Sequence, residues 1–592
     1  MASSDPKAEA HFNVVVDDYD AKSMSDFSTT TESPGAGQHS SAARFKAIQD
    51  SIWLSQQSAS SVKAQERARS GMTTEKRMTF FDCLRCYPKA VGWSLLLIAT
   101  VIMEAYDKLL ITGLFALPTF TRKYGDPLQS SGTAIESEIS PTWQMALQNA
   151  SILAEIVGLF AFGFVASITG YRPIMFICLA WICLAVFPAV FADNLETLLA
   201  SQVLLGIPWG VIQTLAATYA AEVVPSLLRA FVLSNTNTCW LIGQLIGTGI
   251  LRVSSRETTE WSFRFPFALQ WAWALPLLVG VYFAPESPWW FIRHDKPEYA
   301  RHALRRLSDQ DELDIDNAIA LMAHTNTVEK ALQYDGTTYF DLFKGTNRRR
   351  TEIACMAWVC QALSGATLTS YGPYFFEQAG FNFSTSFTFS TIMYGVAVLG
   401  AILSWAFIPY AGRRTLYLAG LSSAVVLLTT GGIISVVLTG NEGPSWALGG
   451  LIVATTLSYN LTIGPVCYVL VAEVPATRLR LKTVALARIA YNLVTIINNI
   501  LAPKMLNPTA WNLGGKACFV YATTALLCLV WCYFRLPETK KLSYLELDIL
   551  FELKAPAPKF KQLQKKLDDS PYVSATEEER RTNPWHGWLA YS

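Results

Sequence analysis

The chain is short of charge. Asp, Glu, Lys and Arg together make up 16% of its 592 residues, against about 25% in an ordinary soluble domain. The shortage is local. Residues 89–290 and 351–540 hold only 36 charges, and the other 200 residues hold 57. Two blocks of that size with so little charge exclude a soluble globular fold. A net charge of +1 leaves no basic excess, which excludes nucleic acid as a partner. Histidine is scarce, with six residues that form no ligand cluster. No P-loop, HExxH or nucleophile elbow in a strand context is present, so no enzyme, cofactor or metal site is expected. The eleven cysteines make no disulfide framework. Nine lie in apolar stretches, as small buried side chains do. Cys83 and Cys86 form a single CxxC, too few ligands for zinc, in a position that leaves reversible acylation open. The first 80 residues lack the short apolar segment of a secretory signal.

What is present is a series of apolar runs. A bilayer core needs about 20 such residues per helix. Six candidates occupy about 90–118, 143–167, 173–192, 197–222, 231–251 and 263–284. Six more occupy about 352–376, 385–410, 414–439, 445–471, 484–506 and 514–535. The expected fold is an all-α membrane protein with twelve transmembrane helices in two six-helix halves. Its expected parts are a disordered N-terminal tail (1–85), an N-terminal half (86–290), a linker with short helices (291–350), a C-terminal half (351–540) and a C-terminal tail (541–592). The tails are too polar to bury a core. Basic residues of short loops, Arg172, Arg229, Arg413 with Arg414, and Arg478, Arg480 and Lys482, fall on one side. The positive-inside rule places that side, both termini and the linker in the cytoplasm. The sequon Asn382-Phe383-Ser384 then falls outside, whereas those at Asn149 and Asn460 sit in helices and are chance matches.

The two blocks repeat each other. Gly170-Tyr171-Arg172 recurs as Gly412-Arg413-Arg414, Ala221-Glu222-Val223-Val224-Pro225 with Arg229 as Ala472-Glu473-Val474-Pro475 with Arg478, and Pro285-Glu286-Ser287 as Pro537-Glu538-Thr539. Six spans per block start both copies on the same face, which is a parallel repeat about an axis along the membrane normal.

These motifs, with Glu104-Ala105-Tyr106-Asp107, Gly206-Ile207-Pro208-Trp209-Gly210, Cys239-Trp240-Leu241-Ile242-Gly243-Gln244 and Tyr459-Asn460-Leu461-Thr462-Ile463-Gly464-Pro465, make the chain resemble the sugar porter family of the major facilitator superfamily. Within it the chain is most similar to the fungal α-glucoside (maltose) permeases. The resemblance runs from about 90 to 550 and implies a major facilitator fold, a sugar substrate and residence in the plasma membrane.

An ionisable side chain at mid-membrane costs about 2.5–3.5 kcal/mol on insertion scales, so it needs a wet cavity or a partner. Glu104 and Asp107, on one face of span one, Glu155 in span two and Arg488 in span eleven are the candidates for a proton relay. The resemblance ties residues at these four places to proton–sugar coupling. The competing reading is an ion-pair lattice, with Asp107 locked by Lys108 or Arg488 and Arg488 snorkelling to the cytoplasm. Lys108 replaces the small polar residue expected after the Asp.

Sugar contacts call for amides, hydroxyls and aromatic faces. Gln244, Gln361, Tyr371, Tyr374, Asn460 and Asn492 are the candidates, each with a helix–helix hydrogen bond as the plain alternative. The resemblance places Gln244, Gln361 and the Gly464-Pro465 neighbourhood at the sugar. Tyr468 stands where hexose porters usually carry Trp, which argues against a plain hexose site. Arg172, Glu222, Arg229 and Arg264 of one half, and Arg413, Glu473 and Arg478 of the other, are candidate gating pairs at the inner mouth, or else topology-setting charges.

The expected function is secondary active transport, a proton symporter importing an α-glucoside such as maltose by alternating access. The expected partners are sugar, protons and the lipid bilayer. The alternatives are an uncoupled facilitator for a hexose, polyol or other small polar metabolite, and a sugar sensor that does not transport.

Overall fold

The computed structural model describes residues 80–115, 117–127, 137–332, 339–366, 383–408, 410–437, 443–476, 479–506 and 513–540, together with Arg67, Leu368, Trp511 and scattered positions from 542 to 562. Tyr371, Tyr374, Asn382 and Arg478 lie outside the described residues.

The N-terminal half comprises α1 (Pro88–Leu114), α2 (Pro141–Thr169), α3 (Tyr171–Val190), α4 (Leu195–Val223) and α5 (Ser226–Ser254). Its sixth span is broken at Leu269 into α6 (Trp261–Ala268) and α7 (Gln270–Phe283), each with an internal proline, Pro266 and Pro276. The linker carries α8 (Pro288–Arg293), α9 (Pro297–Leu307) and α10 (Glu312–Leu332). The C-terminal half comprises α11 (Gly345–Gln361), α12 (Phe383–Phe407), α13 (Arg413–Val437), α14 (Gly443–Leu461), α15 (Ile463–Glu473), α16 (Arg480–Leu506) and α17 (Ala517–Arg535). The only strands among the described residues are Asp126–Pro127 and Ser137–Glu138, a two-residue antiparallel pair.

Local chemistry sets the ends. Proline opens α1 and α2, where its missing N–H would be unpaired anyway. Asn194 caps α4, its side chain accepting from Thr197 N at 2.8 Å. Gly170, at φ +90, makes the tight turn from α2 to α3. The tenth span breaks at Thr462 (φ −128, ψ −79), which leaves Gly464-Pro465 in the first turn of α15. α11 ends in a π-helical turn, Ala362–Ala366, with Gly365 at φ +95 and ψ 4.

Nine segments among the described residues are long and apolar enough to cross a bilayer. The other three expected spans correspond to α1, α5 and α11. α1 carries Glu104, Asp107 and Lys108, α5 carries the polar run Ser234–Thr238, and α11 is only 17 residues long and opens on Arg348–Arg350. Large apolar side chains such as Ile168, Leu184, Val437, Leu527 and Phe534 face outward and exposed. That is how a multi-pass protein meets lipid.

The helix contacts obey the repeat. α2 packs on α4 as α12 packs on α14, α1 on α5 as α11 on α16, and α3 on α7 as α13 on α17. The halves meet through α2 against α16 and α5 against α12. Span two against eleven and span five against eight are exchanged by a twofold rotation, as a parallel repeat requires.

The linker folds back on the N-terminal half. Asp309 N donates to Cys86 O at 2.8 Å, and Tyr87 OH donates to Gln310 Oε1 at 2.9 Å. On the other half, Arg350 stacks on Phe551 at 4.5 Å and Arg349 Nη1 donates to Ala555 O at 2.7 Å. Ala557 and Phe560 are buried there too, so packing runs into the C-terminal tail, which the sequence reading leaves without a core. Cys83 is fully buried, which removes it as an acylation site. Asn149 and Asn460 are buried as well, in line with their reading as chance sequons.

Candidate functional site

The centre of the interface between the halves holds a four-member ion lattice. Glu104 and Lys108 lie one turn apart on α1, with Lys108 Nζ 3.0 Å from Glu104 Oε1. The same ammonium reaches Glu155 Oε1 on α2 at 2.5 Å. Across the seam, Arg488 Nη2 stands 3.7 Å from Glu104 Oε1, and Asn492 Nδ2 donates to Glu155 Oε2 at 3.1 Å. Arg488 and Asn492 are one turn apart on α16, so a single face of that helix addresses both carboxylates. Glu155 is set by a close helix crossing. A β-carbon on Gly210 of α4 would stand 2.5 Å from the Glu155 carbonyl oxygen, so only glycine lets α4 lie on α2 there. Glu104 and Glu155 are fully buried and Arg488 is 3% exposed.

Asp107 belongs to a different network. It takes Gln270 Nε2 of α7 at 2.6 Å, and the buried Trp209 lies beside it. It forms no ion pair among the described residues. The competing reading from sequence, an Asp107 locked by Lys108 or Arg488, does not hold, because Asp107 sits on Gln270 instead. At 100° per residue, Asp107 turns toward α7 while its neighbour turns toward α2. Arg488 does not snorkel. Its guanidinium lies over Tyr491 at 4.4 Å and Trp358 at 4.8 Å, so cation–π contacts replace water.

Beside the lattice is a small cavity lined by Gln213, Thr214 and Thr218 of α4, Trp358, Tyr468, Arg480 and Arg488 among others. Trp358 meets Tyr468 and Tyr491 edge-on, with centroids at 4.9 and 5.2 Å. Trp240 lies under Lys108 at 5.3 Å. Gln213 Nε2 donates to Tyr468 OH at 3.3 Å. The arrangement offers hydroxyls, amides and ring faces in one space, the mixture that binds a polyhydroxylated molecule.

The sequence-derived sugar candidates divide. Gln361 is buried within hydrogen-bonding reach of Tyr459. Gln244 is half-buried, one turn beyond Trp240. Asn460 is engaged across the seam, accepting from Asn237 Nδ2 at 3.1 Å and donating to Thr456 O at 2.9 Å. Asn492 is held by Glu155.

The basic face carries two copies of one network. Glu286 accepts from Tyr171 N and Arg172 N, both at 3.0 Å, and Glu538 accepts from Arg413 N at 2.7 Å. Glu222 accepts from Ser287 Oγ at 2.6 Å, and Glu473 accepts from Thr539 Oγ1 at 2.6 Å. The cation differs. Arg413 pairs with Glu473 at 3.5 Å, whereas the matching Tyr171 donates its hydroxyl to Glu222 at 3.0 Å and Arg293 of α8 supplies the charge. Arg172 instead donates to Tyr282 O, as Arg414 does to Tyr533 O. Burial pushes the Glu286 carboxyl above its ordinary range, and the backbone N–H groups of Ser287, Arg172 and Tyr171 pull it back. Among the described residues, the pairs formed here do not bridge the two halves: Glu222 pairs with Arg293 of the linker and Glu473 with Arg413 of its own half. Arg229 is half-buried in the first turn of α5. Arg264 is at the opposite end, pairing with Asp193 at 3.1 Å and Glu260 at 2.9 Å. Span six begins there, so a residue in its first turn cannot reach the inner mouth.

Residues that the sequence reading left out of the site are Gln213, Gln270, Trp240 and Trp358, with Lys108 as the hub. Gln213 and Gln270 were findable as amides inside apolar helices. Lys108 was visible as a departure but not as a bridge, because its reach to Glu155 depends on how α2 crosses α1.

The Sugar (and other) transporter family matches residues 93–551. The general alpha-glucoside permease of Saccharomyces cerevisiae is 38% identical over 505 residues, 84% of this chain and 81% of that protein. The maltose permease MAL31 of the same yeast is 38% identical over 506 residues, with the same coverage. Among solved structures, the proton:xylose symporter XylE bound to 6-bromo-6-deoxy-D-glucose superposes with a TM-score of 0.67 at 19% identity, covering 78% of this chain and 99% of that one. A partially occluded inward-open form of the xylose transporter XylE from E. coli gives 0.60, covering 77% and 100%.

Proposed function

The chain belongs to the Sugar (and other) transporter family, and from that premise we propose that this multi-pass sugar transporter imports an α-glucoside such as maltose together with protons. The yeast relatives are named for α-glucosides and maltose. The observation that carries the coupling is the burial of three carboxylates at this site, Glu104 and Glu155 in the lattice with Lys108 and with Arg488 of the opposite half, and Asp107 on Gln270. Charges buried at that depth persist where they are paired or exchange protons. Sugar and proton are then both held at the seam that must open and close in alternating access.

In this reading Glu104, Asp107, Glu155 and Arg488 couple the proton. Gln244, Gln361, Tyr371, Asn460 and Asn492 form or brace the sugar site, with Trp358 and Tyr468 as its aromatic faces. Arg172, Glu222, Arg229, Arg413, Glu473 and Arg478 hold the basic face closed. That face and both termini are cytoplasmic, and the membrane is the plasma membrane. A competition panel tests the substrate class. Unlabelled α-glucosides displace labelled maltose in cells expressing the chain, and monohexoses do not; displacement by hexoses alone would defeat it.

One observation favours a second reading, the uncoupled facilitator. Lys108 and Arg488 match the charge of Glu104 and Glu155, as a permanent structural lattice would. Uphill accumulation separates the two readings, since a facilitator only equilibrates its sugar.

A further inference from the structure

Asp107 and Lys108 are neighbours in sequence that serve different networks, and this assigns them different work. The Lys108 ammonium bridges the carboxylates of Glu104 and Glu155 at 3.0 and 2.5 Å. Among the described residues, the charged and titratable groups around this site are Glu104 from α1, Glu155 from α2, Tyr468 and Cys467 from α15, and Arg488 and Tyr491 from α16. Trp240 of α5 contributes a ring and no charge. Two carboxylates therefore meet two cations. Outside that balance stands Asp107, fully buried on a neutral amide, Gln270.

We propose that Lys108 is a resident counter-ion that holds Glu104 and Glu155 ionised throughout the transport cycle, leaving Asp107 as the one carboxylate of the three that takes up and releases the transported proton. The inference rests on the proton-coupled reading and deepens it. Without an internal cation at 108, two carboxylates converging on one site would share a proton, because like charges so close cannot both ionise cheaply. Lys108 occupies the place of that proton with a charge that does not leave. Lys108 is a positioning residue, acting through the carboxylates rather than on the sugar.

The test counts protonated carboxyl groups by infrared difference spectroscopy on the purified full chain, from acid to neutral pH and without sugar. In the otherwise unchanged protein, Asp107→Asn removes one titrating buried-carboxyl band, whereas Glu104→Gln and Glu155→Gln remove none. Lys108→Gln gains one further band, which a second change, Glu155→Gln, takes away again. Lys108→Arg restores the original pattern. Loss of a band in Glu155→Gln or Glu104→Gln alone, persistence of the band in Asp107→Asn, or no gain in Lys108→Gln overturns the assignment. The single carboxylate variants decide it even where Lys108→Gln fails to fold. The count needs no transport, so an absence of sugar-driven proton flux would defeat the coupling reading separately.

Discussion

Gly170 lies against the carboxylate of Glu286 so closely that a β-carbon on it would stand 2.7 Å from Glu286 Oε2. The same carboxylate gathers the N–H groups of Tyr171 and Arg172. The turn between α2 and α3 is thus fastened to the end of span six. Gly412 and Glu538 repeat the arrangement in the other half.

Gly170→Ala is expected to destabilise the protein. Gly170 adopts φ +90 and ψ 176, a region that is essentially glycine's alone and costs other residues about 1–3 kcal/mol. The lost contact with Glu286 adds to this. Gly395→Ala is the control, because its β-carbon would meet nothing within 4 Å and alanine favours helix by about 1 kcal/mol. Thermal unfolding in detergent should show a lowered midpoint for the first variant and an equal or higher one for the second.

Glu222→Ala is expected to cost about 3 kcal/mol or more, since it removes one partner of the Arg293 ion pair and takes away the acceptor of Ser287 and Tyr171. The pair joins α4 to α8 of the linker, so the loss should appear as reduced stability of the N-terminal half together with the linker. Protection of α8 amides from hydrogen exchange is the measurement. Unchanged protection there would show that Glu222 does not anchor the linker.

Tyr468→Phe removes a hydroxyl that takes the Gln213 amide at the cavity wall. A neutral hydrogen bond contributes about 0.5–1.5 kcal/mol, so KM for the α-glucoside should rise about two- to tenfold with the maximal rate largely kept. Concentration-dependent uptake reads the split directly.

Asp107→Asn should abolish accumulation against a gradient while leaving exchange of internal for external sugar, because an amide can occupy the place on Gln270 but cannot take up and release a proton as a carboxylate does. Uphill uptake that survives the change would remove Asp107 from the coupling.

The architecture was legible because its determinants are local or periodic. Apolar runs of bilayer length gave the spans, and Gly170-Tyr171-Arg172 against Gly412-Arg413-Arg414 gave the duplication that the helix contacts reproduce. The site was legible as residue types rather than as partnerships. Glu104, Glu155 and Arg488 stood out as charges in apolar helices, but which of them meet depends on crossings hundreds of residues apart in sequence. Spacing on α1 put Glu104 with Asp107, whereas the neighbouring helices divide that face, α2 taking Glu104 with Lys108 and α7 taking Asp107. Arg264 was misplaced although the alternation of spans already puts the first turn of span six on the side opposite the basic loops. Asn460 and Asn492 were chosen as amides that face inward, and they do face inward, toward Asn237 and Glu155.

The most direct measurement places the purified chain in liposomes with a pH-sensitive dye sealed inside and adds maltose outside. Sugar entry should acidify the interior in step with maltose uptake, with no acidification in Asp107→Asn. Maltose that equilibrates across the bilayer while the internal pH stays constant would contradict the account.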